Sequence, residues 1–352
     1  MPNSDATAGS MRAAALRLVL FLLPLLACWG VLEWWLTRVP SSHSVKRAHL
    51  EAAAASADTL ILGSSGAYWD IAPPYLRGSA YNLGNVAQTL YYDDQLATRW
   101  LDRLPHLHRV IIAIPYVSMF FQLQGTAEEE RQYGYFQQWQ IPPPGWRERL
   151  DLRMVSDVAL RTPLFAVSSL RTAFVQHLHG AALAGPPVDP PIRADGWSPR
   201  WPPEPSELAD AVVQTKIAYH HGLMHMSDEA GNRASLQHLV ALLHSRGIEV
   251  IIVTPPVWPA YAALMRQDYW ERARADFSDL GAKYGVRYFN YVQDPGFTAA
   301  DFLDADHLNE HGAVHFTRLL SAAIDGATAQ NADPTQKSPR AGNSTTGGSP
   351  PQ

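Results

Sequence analysis

A serine hydroxyl becomes a nucleophile only when a base takes its proton, and the base works best when a carboxylate orients it. This chain carries those three residue types in two separated places. Gly63-Ser64-Ser65 ends an apolar run, Leu60-Ile61-Leu62, and Asp304-Ala305-Asp306-His307 lies some 240 residues later, just before a helix-like stretch. Asp304 and His307 are three apart, so one turn of chain can bring carboxylate to imidazole. That spacing favours Asp304 over Asp306, which adjoins the histidine. Ser65 falls at the end of the first strand, and ligands in α/β sheets collect at the carboxyl ends of strands. The chemistry such a group would perform is acyl transfer through a serine ester. Asp70 reads as a cap or a surface acid.

A second pattern overlaps the first. His307-Leu308-Asn309-Glu310-His311 fits H-x-x-E-H, which on a helix would put two zinc-binding histidines on one face. No Glu follows Glu310 to complete such a site, and the helix is expected to begin after His307, with Glu310 in its first turn. No metal and no cofactor are therefore expected. His220, His221 and His225, near Met224 and Met226, read as surface or packing residues, as do His106 and His108. No P-loop, dinucleotide fingerprint or CxxC occurs.

The elements that would position these residues follow a βα rhythm. Strands are expected at 59–63, 80–83, 109–114 (RVIIAI), 249–254 (EVIIVT) and 286–291, with helices at 87–104, 236–245, 260–284 and 310–324. Short apolar runs alternating with amphipathic stretches predict an α/β domain with a largely parallel sheet. Residues 43–56 are alanine-rich and helical in character. A segment of about 120–232 interrupts the rhythm and is too long for a loop. It is expected to be a mostly helical insertion over the sheet's carboxyl edge, with helices at 146–159 and 163–178 and a proline-rich stretch at 185–205. Trp197 and Trp201 in that stretch either stack on sugar rings or pack the insertion to the domain.

The chain of 352 residues is 47% hydrophobic, enough for a substantial core, and its net charge of −5 gives no reason to expect nucleic acid as partner. One cysteine, Cys28, precludes an intrachain disulfide framework. Residues 13–36 are apolar over a bilayer-spanning length, with Arg17 near one end and Trp34 and Trp35 near the other. We read an uncleaved signal-anchor. The run continues past Cys28, against a lipoprotein signal at Leu25-Leu26-Ala27-Cys28, and no small-x-small site closes it. Basic residues flank it on both sides (Arg12 and Arg17; Arg38, Lys46 and Arg47), so charge alone does not orient it. The expected organisation is a cytoplasmic tail (1–12), a transmembrane anchor (13–37), a stalk (38–57), the α/β domain (58–327) and a disordered tail (328–352).

Taken in order, Gly63-x-Ser65, Asn82-Leu83-Gly84 and Asp304-x-x-His307 resemble blocks one, two and five of the SGNH (GDSL-like) hydrolase superfamily. More narrowly, ILGSS, DIAP, YNLG and FLDADHLNEHGAVHF resemble membrane-anchored SGNH proteins of polysaccharide O-acetylation and cell-wall acylation, such as the alginate O-acetyltransferase family and the teichoic-acid D-alanyl transfer protein. The resemblance covers roughly 58–125 and 235–325. It implies a flavodoxin-like three-layer α/β/α sandwich, with Ser65 as nucleophile, His307 as base and Asp304 as its orienter. Ser64 takes the place of a family Asp and is assigned to the turn. The implied oxyanion hole uses the backbone N–H of Ser65 and of Gly84 or Ala87, the last standing where the family often has a second glycine. Block three departs: Pro115-Tyr116-Val117-Ser118 replaces Gly-x-Asn-Asp, removing one donor.

The implied activity is that of an O-acyltransferase or acyl esterase on an acylated cell-envelope glycan. The implied location is a bacterial inner membrane, single-pass, with the domain in the periplasm. A multi-spanning membrane protein that delivers acyl groups is the implied partner. The alternative is an inactive SGNH-fold module for polysaccharide binding or assembly.

Overall fold

The computed structural model describes residues 4–38, 40–161, 192–200 and 205–326. The chain divides into two compact units, one of Met1–Ala48 with Leu123–Pro191, the other of His49–Gln122 with Ile192–Gln352. Eleven helices occur among the described residues: α1 Ser4–Leu36, α2 Ser42–Ala53, α3 Ser65–Tyr68, α4 Leu90–Trp100, α5 Arg131–Trp139, α6 Asp157–Arg161, α7 Asp210–Leu223, α8 Glu229–Ser245, α9 Pro259–Ala263, α10 Gln267–Tyr284 and α11 Glu310–Gly326.

The second unit is built on five parallel strands, β1 Thr59–Gly63, β2 Ala80–Asn82, β3 Arg109–Ala113, β4 Glu249–Thr254 and β5 Arg287–Asn290, in the order β2-β1-β3-β4-β5. The three central strands are rich in Ile, Leu and Val and are buried along nearly their whole length, which explains their continuous apolar character. Ile61 pairs with Ile111, and Ile111 with Ile251, so one row of β-branched side chains crosses the sheet. These join Ile71, Trp197, Phe302, Phe316 and Leu320 in the main hydrophobic cluster. The strand order reverses between β1 and β3, and at such a switch point the loops leaving the two strands diverge and open a crevice at their carboxyl ends.

Several expectations need correction. The long helix expected at 260–284 is two helices, α9 and α10, because Tyr116 Oη accepts the Arg266 N–H at 2.6 Å and Arg266 is extended there (ψ 108°). The helix expected at 146–159 is instead two 3₁₀ turns, Glu148–Leu150 and Leu152–Met154, followed by α6. Asp151 breaks it, taking an extended conformation while its side chain accepts the Arg153 N–H at 2.9 Å, a local bond that competes with helix. α8 starts at Glu229, seven residues before the helix expected at 236–245. The helix expected at 163–178, Trp201 and the tail at 328–352 lie outside the described residues.

In the first unit, the Met11–Leu36 stretch of α1 is long and apolar enough to cross a membrane, and no other described helix is. Near its end the Glu33 carboxylate accepts from Ser156 Oγ (2.9 Å), Asp157 N (2.5 Å) and Val158 N (3.2 Å), capping α6.

Candidate functional site

β1 ends on Gly63, whose φ of +124° lies in a region that favours glycine and whose imaginary Cβ would stand 2.2 Å from Ala113 O. The close approach to β3 turns the chain sharply out of the sheet. Ser64 O then accepts from Ala67 N and Tyr68 N, and Ser65 opens the single turn of α3, half-buried at the rim. Ser64 makes no side-chain cap and shapes the bend.

His307 arrives from the other end of the domain. Its Nε2 lies 2.8 Å from Ser65 Oγ, and its Nδ1 lies 3.0 and 3.1 Å from the two oxygens of Asp304. Asp304 Oδ1 also accepts the backbone N–H groups of Asp306 and His307, which fixes the carboxylate inside its own turn. Trp69 packs edge-on against the imidazole with ring centroids 4.4 Å apart. The hydroxyl, imidazole and carboxylate therefore form one continuous chain.

Asp70 is fully buried, not a cap or a surface acid. Its Oδ1 accepts the Leu308 N–H at 2.8 Å, tying the segment after α3 to the loop carrying His307. Burial pushes its pKa well above the usual carboxylate range, against the opposing pull of His307 and the Leu308 N–H. Asp93 has a similar role behind β1. It accepts the Gly63 N–H at 2.9 Å and the Gln88 amide at 2.6 Å, and burial raises its pKa to about 7.

Lys216, from α7, has no role in the sequence-based expectations. Its ammonium lies 2.6 Å from Asp304 Oδ2 and 2.7 Å from Asp306 Oδ1. Burial opposes the charge on Lys216, but the two carboxylates outweigh burial and raise its pKa. Burial likewise disfavours charge on Asp304, yet His307 and Lys216 hold its pKa well below the ordinary value. Burial lowers the pKa of His307, while Asp304 and then Asp306 raise it, and the net direction is upward. His220, one turn beyond Lys216, meets Tyr261 Oη at 2.7 Å and Asp306 Oδ2 at 3.8 Å. A sequence signal exists for both: Lys216 and His220 are spaced i,i+4 on one helix face, and Asp306 is an acid that the DxxH turn leaves without a partner.

Donor atoms of Asp304, Asp306 and His307 all lie within 4.8 Å of one another, a set that could hold a cation. The Lys216 ammonium fills that role, contacting both carboxylates. The H-x-x-E-H residues do not converge. His307 precedes α11, Glu310 pairs with Arg193 at 2.7 Å, and His311 is exposed and bonds Asp301 at 3.0 Å. His221 turns away from His220 to approach Tyr116 Oη at 3.3 Å.

The cleft beside Ser65 opens over the ends of β1, β3 and β4 and is small, about 50 Å³. Pro115, Val117, Pro255, Val257, Met265 and Val292 make its wall apolar, while His220, Tyr261 and Asp306 supply its polar end. Of the backbone groups expected around an oxyanion, Ser65 is at this rim. Gly84 packs against α3, where a Cβ would meet that of Ala67 at 2.4 Å, but its N–H donates to Asn82 Oδ1 at 3.0 Å and is engaged in its own turn. Ala87 is half-buried with an unusual φ of +54°. Trp197 is fully buried, donates its indole N–H to Trp69 O at 2.8 Å and belongs to the core, so it is no sugar platform. No family model matches the chain, and no curated protein matches it.

Proposed function

We propose that the protein is a membrane-anchored SGNH-type serine acyltransferase or acyl esterase acting on an acylated envelope glycan outside the cytoplasm. The observation that carries this reading is the relay Ser65 Oγ–His307 Nε2 at 2.8 Å and His307 Nδ1–Asp304 at 3.0 Å. The strand order 2-1-3-4-5, with Ser65 at the switch point, supports a flavodoxin-like layering. The apolar helix α1 supports an anchor; the domain's place on the periplasmic face of a bacterial inner membrane rests on the resemblance alone.

In this reading Ser65 Oγ attacks the ester carbonyl carbon while its proton passes to His307 Nε2. The resulting imidazolium is stabilised by Asp304. Collapse of the tetrahedral intermediate breaks the carbonyl carbon–oxygen bond, and His307 returns the proton to the departing alcohol, leaving an acyl-Ser65. Water or a sugar hydroxyl then gives its proton to His307, attacks the acyl carbon and releases Ser65. The short apolar cleft suits a small acyl group. A multi-spanning membrane protein delivering acyl groups fits as partner.

A second reading, a non-catalytic glycan-binding or assembly module, is favoured by one observation. The Gly84 N–H is engaged, and the residues after β3 offer no asparagine where the family's oxyanion donor stands. One lost donor costs about a hundredfold or more in rate. The test is p-nitrophenyl acetate turnover by the detergent-solubilised chain, with glycan binding measured alongside. Turnover that disappears in Ser65→Ala supports the enzyme. Glycan binding that persists in Ser65→Ala, with no turnover by the folded wild type, supports the module.

A further inference from the structure

The segment 146–155 exposes more large apolar surface than its polar surroundings explain. Trp146 is 67% exposed, Leu150 77%, Leu152 49% and Val155 68%. Four such residues within ten positions make a patch of the kind that folded proteins keep for a partner. Two further features say which partner. The first is continuity with α1. The three hydrogen bonds from Ser156, Asp157 and Val158 to Glu33 tie the end of this segment to a point three residues before α1 stops at Leu36. At about 1.5 Å of rise per residue, that is within about 5 Å of the helix end. Trp34 and Trp35, exposed at the same level, are the residue type that settles at a bilayer's headgroup boundary.

The second feature is what stands between the apolar residues. Arg147 and Arg149 are exposed, with the Arg147 guanidinium 5.4 Å from the Trp146 ring centroid, while Glu148 is half-buried and turned toward Gly145. Aromatic and aliphatic side chains interleaved with exposed arginines suit a surface that is apolar below and anionic above.

We infer that residues 146–155 lie in the headgroup region of the same bilayer that α1 crosses, so that the insertion grips the lipid surface. This rests on α1 being a membrane span, which the experiment checks separately. The span contains the only cysteine, Cys28, exposed on α1. An environment-sensitive fluorophore on Cys28 of the wild-type chain, reconstituted in mixed zwitterionic and anionic phospholipid vesicles, reports insertion of α1 itself. In a Cys28→Ser background, Leu150→Cys and Val155→Cys carry the same fluorophore. Both positions are exposed, so the fold tolerates them.

The inference expects Cys28 to be quenched by nitroxides deep on the acyl chains. It expects positions 150 and 155 to be quenched severalfold more by headgroup-level nitroxides than by aqueous iodide. Quenching of 150 and 155 by iodide alone overturns it while leaving the span intact. So does shielding from both quenchers, which would mean that protein, from this chain or a second copy, covers the patch. An unquenched Cys28 overturns the span reading and this inference with it, and leaves the Ser65 chemistry untouched.

Discussion

Replacing Lys216 by methionine removes one positive charge and keeps most of the stem. The ammonium lies 2.6 Å from Asp304 Oδ2, which lies 3.1 Å from His307 Nδ1, so the two legs together put the charge no farther than 5.7 Å from the imidazole. At that distance a unit charge contributes about 0.7 kcal/mol in bulk water and about 3 kcal/mol at an effective dielectric constant of about 20. Those values correspond to about 0.5 and 2 pKa units. The sign is fixed: losing a cation favours the imidazolium, so the pKa of His307 rises further above its ordinary value. The base form that accepts the Ser65 proton then appears only at higher pH.

The assay is kcat/KM for p-nitrophenyl acetate against pH, whose acid limb reports the essential base in the free protein. The limb of Lys216→Met should move to higher pH by about 0.5 to 2 units, with the alkaline plateau largely recovered and Lys216→Arg close to wild type. An acid limb that stays in place, or moves to lower pH, would refute the assignment of Lys216 to this charge network. A uniform loss across the pH range in a folded variant would make Lys216 a structural residue only.

Other perturbations read the supports of the site. Gly63→Ala forces a Cβ to within 2.2 Å of Ala113 O at a φ of +124°. Backbone strain of about 1–3 kcal/mol and overpacking of about 1–3 kcal/mol should give a large fall in the denaturation midpoint, and a loss under about 1 kcal/mol would contradict the geometry. Asp93 has a folded pKa raised from 3.8 to about 7, so the native state holds a proton that the unfolded state has lost across that window, and wild-type stability falls as pH rises through it. Asp93→Asn removes the titration, so its stability relative to wild type should improve by an amount on the order of 4 kcal/mol between those limits. Parallel pH–stability curves for the two would count against a buried, protonated Asp93. Asp70→Asn, which keeps a side chain of similar shape with an acceptor oxygen for the Leu308 N–H, should retain turnover. Asp70→Ala leaves the Leu308 N–H buried without its acceptor and should cost about 1–3 kcal/mol in stability, seen in chemical denaturation.

What the sequence made legible is whatever local pattern controls. The strands 59–63 and 249–254 match their expected bounds because a run of β-branched and aliphatic residues ends on a glycine or threonine. Asp304 and His307 could be paired from spacing because a DxxH turn closes on itself. Ser65 was legible as the hydroxyl at the end of the first strand, but the crevice it faces follows from the sheet order, with β1 beside β3, which no local pattern shows. What escaped depends on residues distant in sequence. The break between α9 and α10 comes from Tyr116, 150 positions away from Arg266. The burial of Trp197 depends on Trp69, 128 positions before it, and no local signal separates a core tryptophan from an exposed one. The burial of Asp70 depends on the Leu308 N–H across the core. Lys216 lies in a segment whose fold local pattern did not resolve, although its spacing to His220 marks a helical face.

The claim that Ser65 is an activated nucleophile is tested most directly by a fluorophosphonate probe followed by peptide mass spectrometry on the detergent-solubilised chain. The account predicts one phosphonylated peptide, modified at Ser65, absent from Ser65→Ala and strongly diminished in His307→Ala, with a labelling rate that rises with pH as His307 loses its proton. A folded wild-type protein that remains unmodified across the pH range, or one modified elsewhere with undiminished labelling in Ser65→Ala, would contradict it.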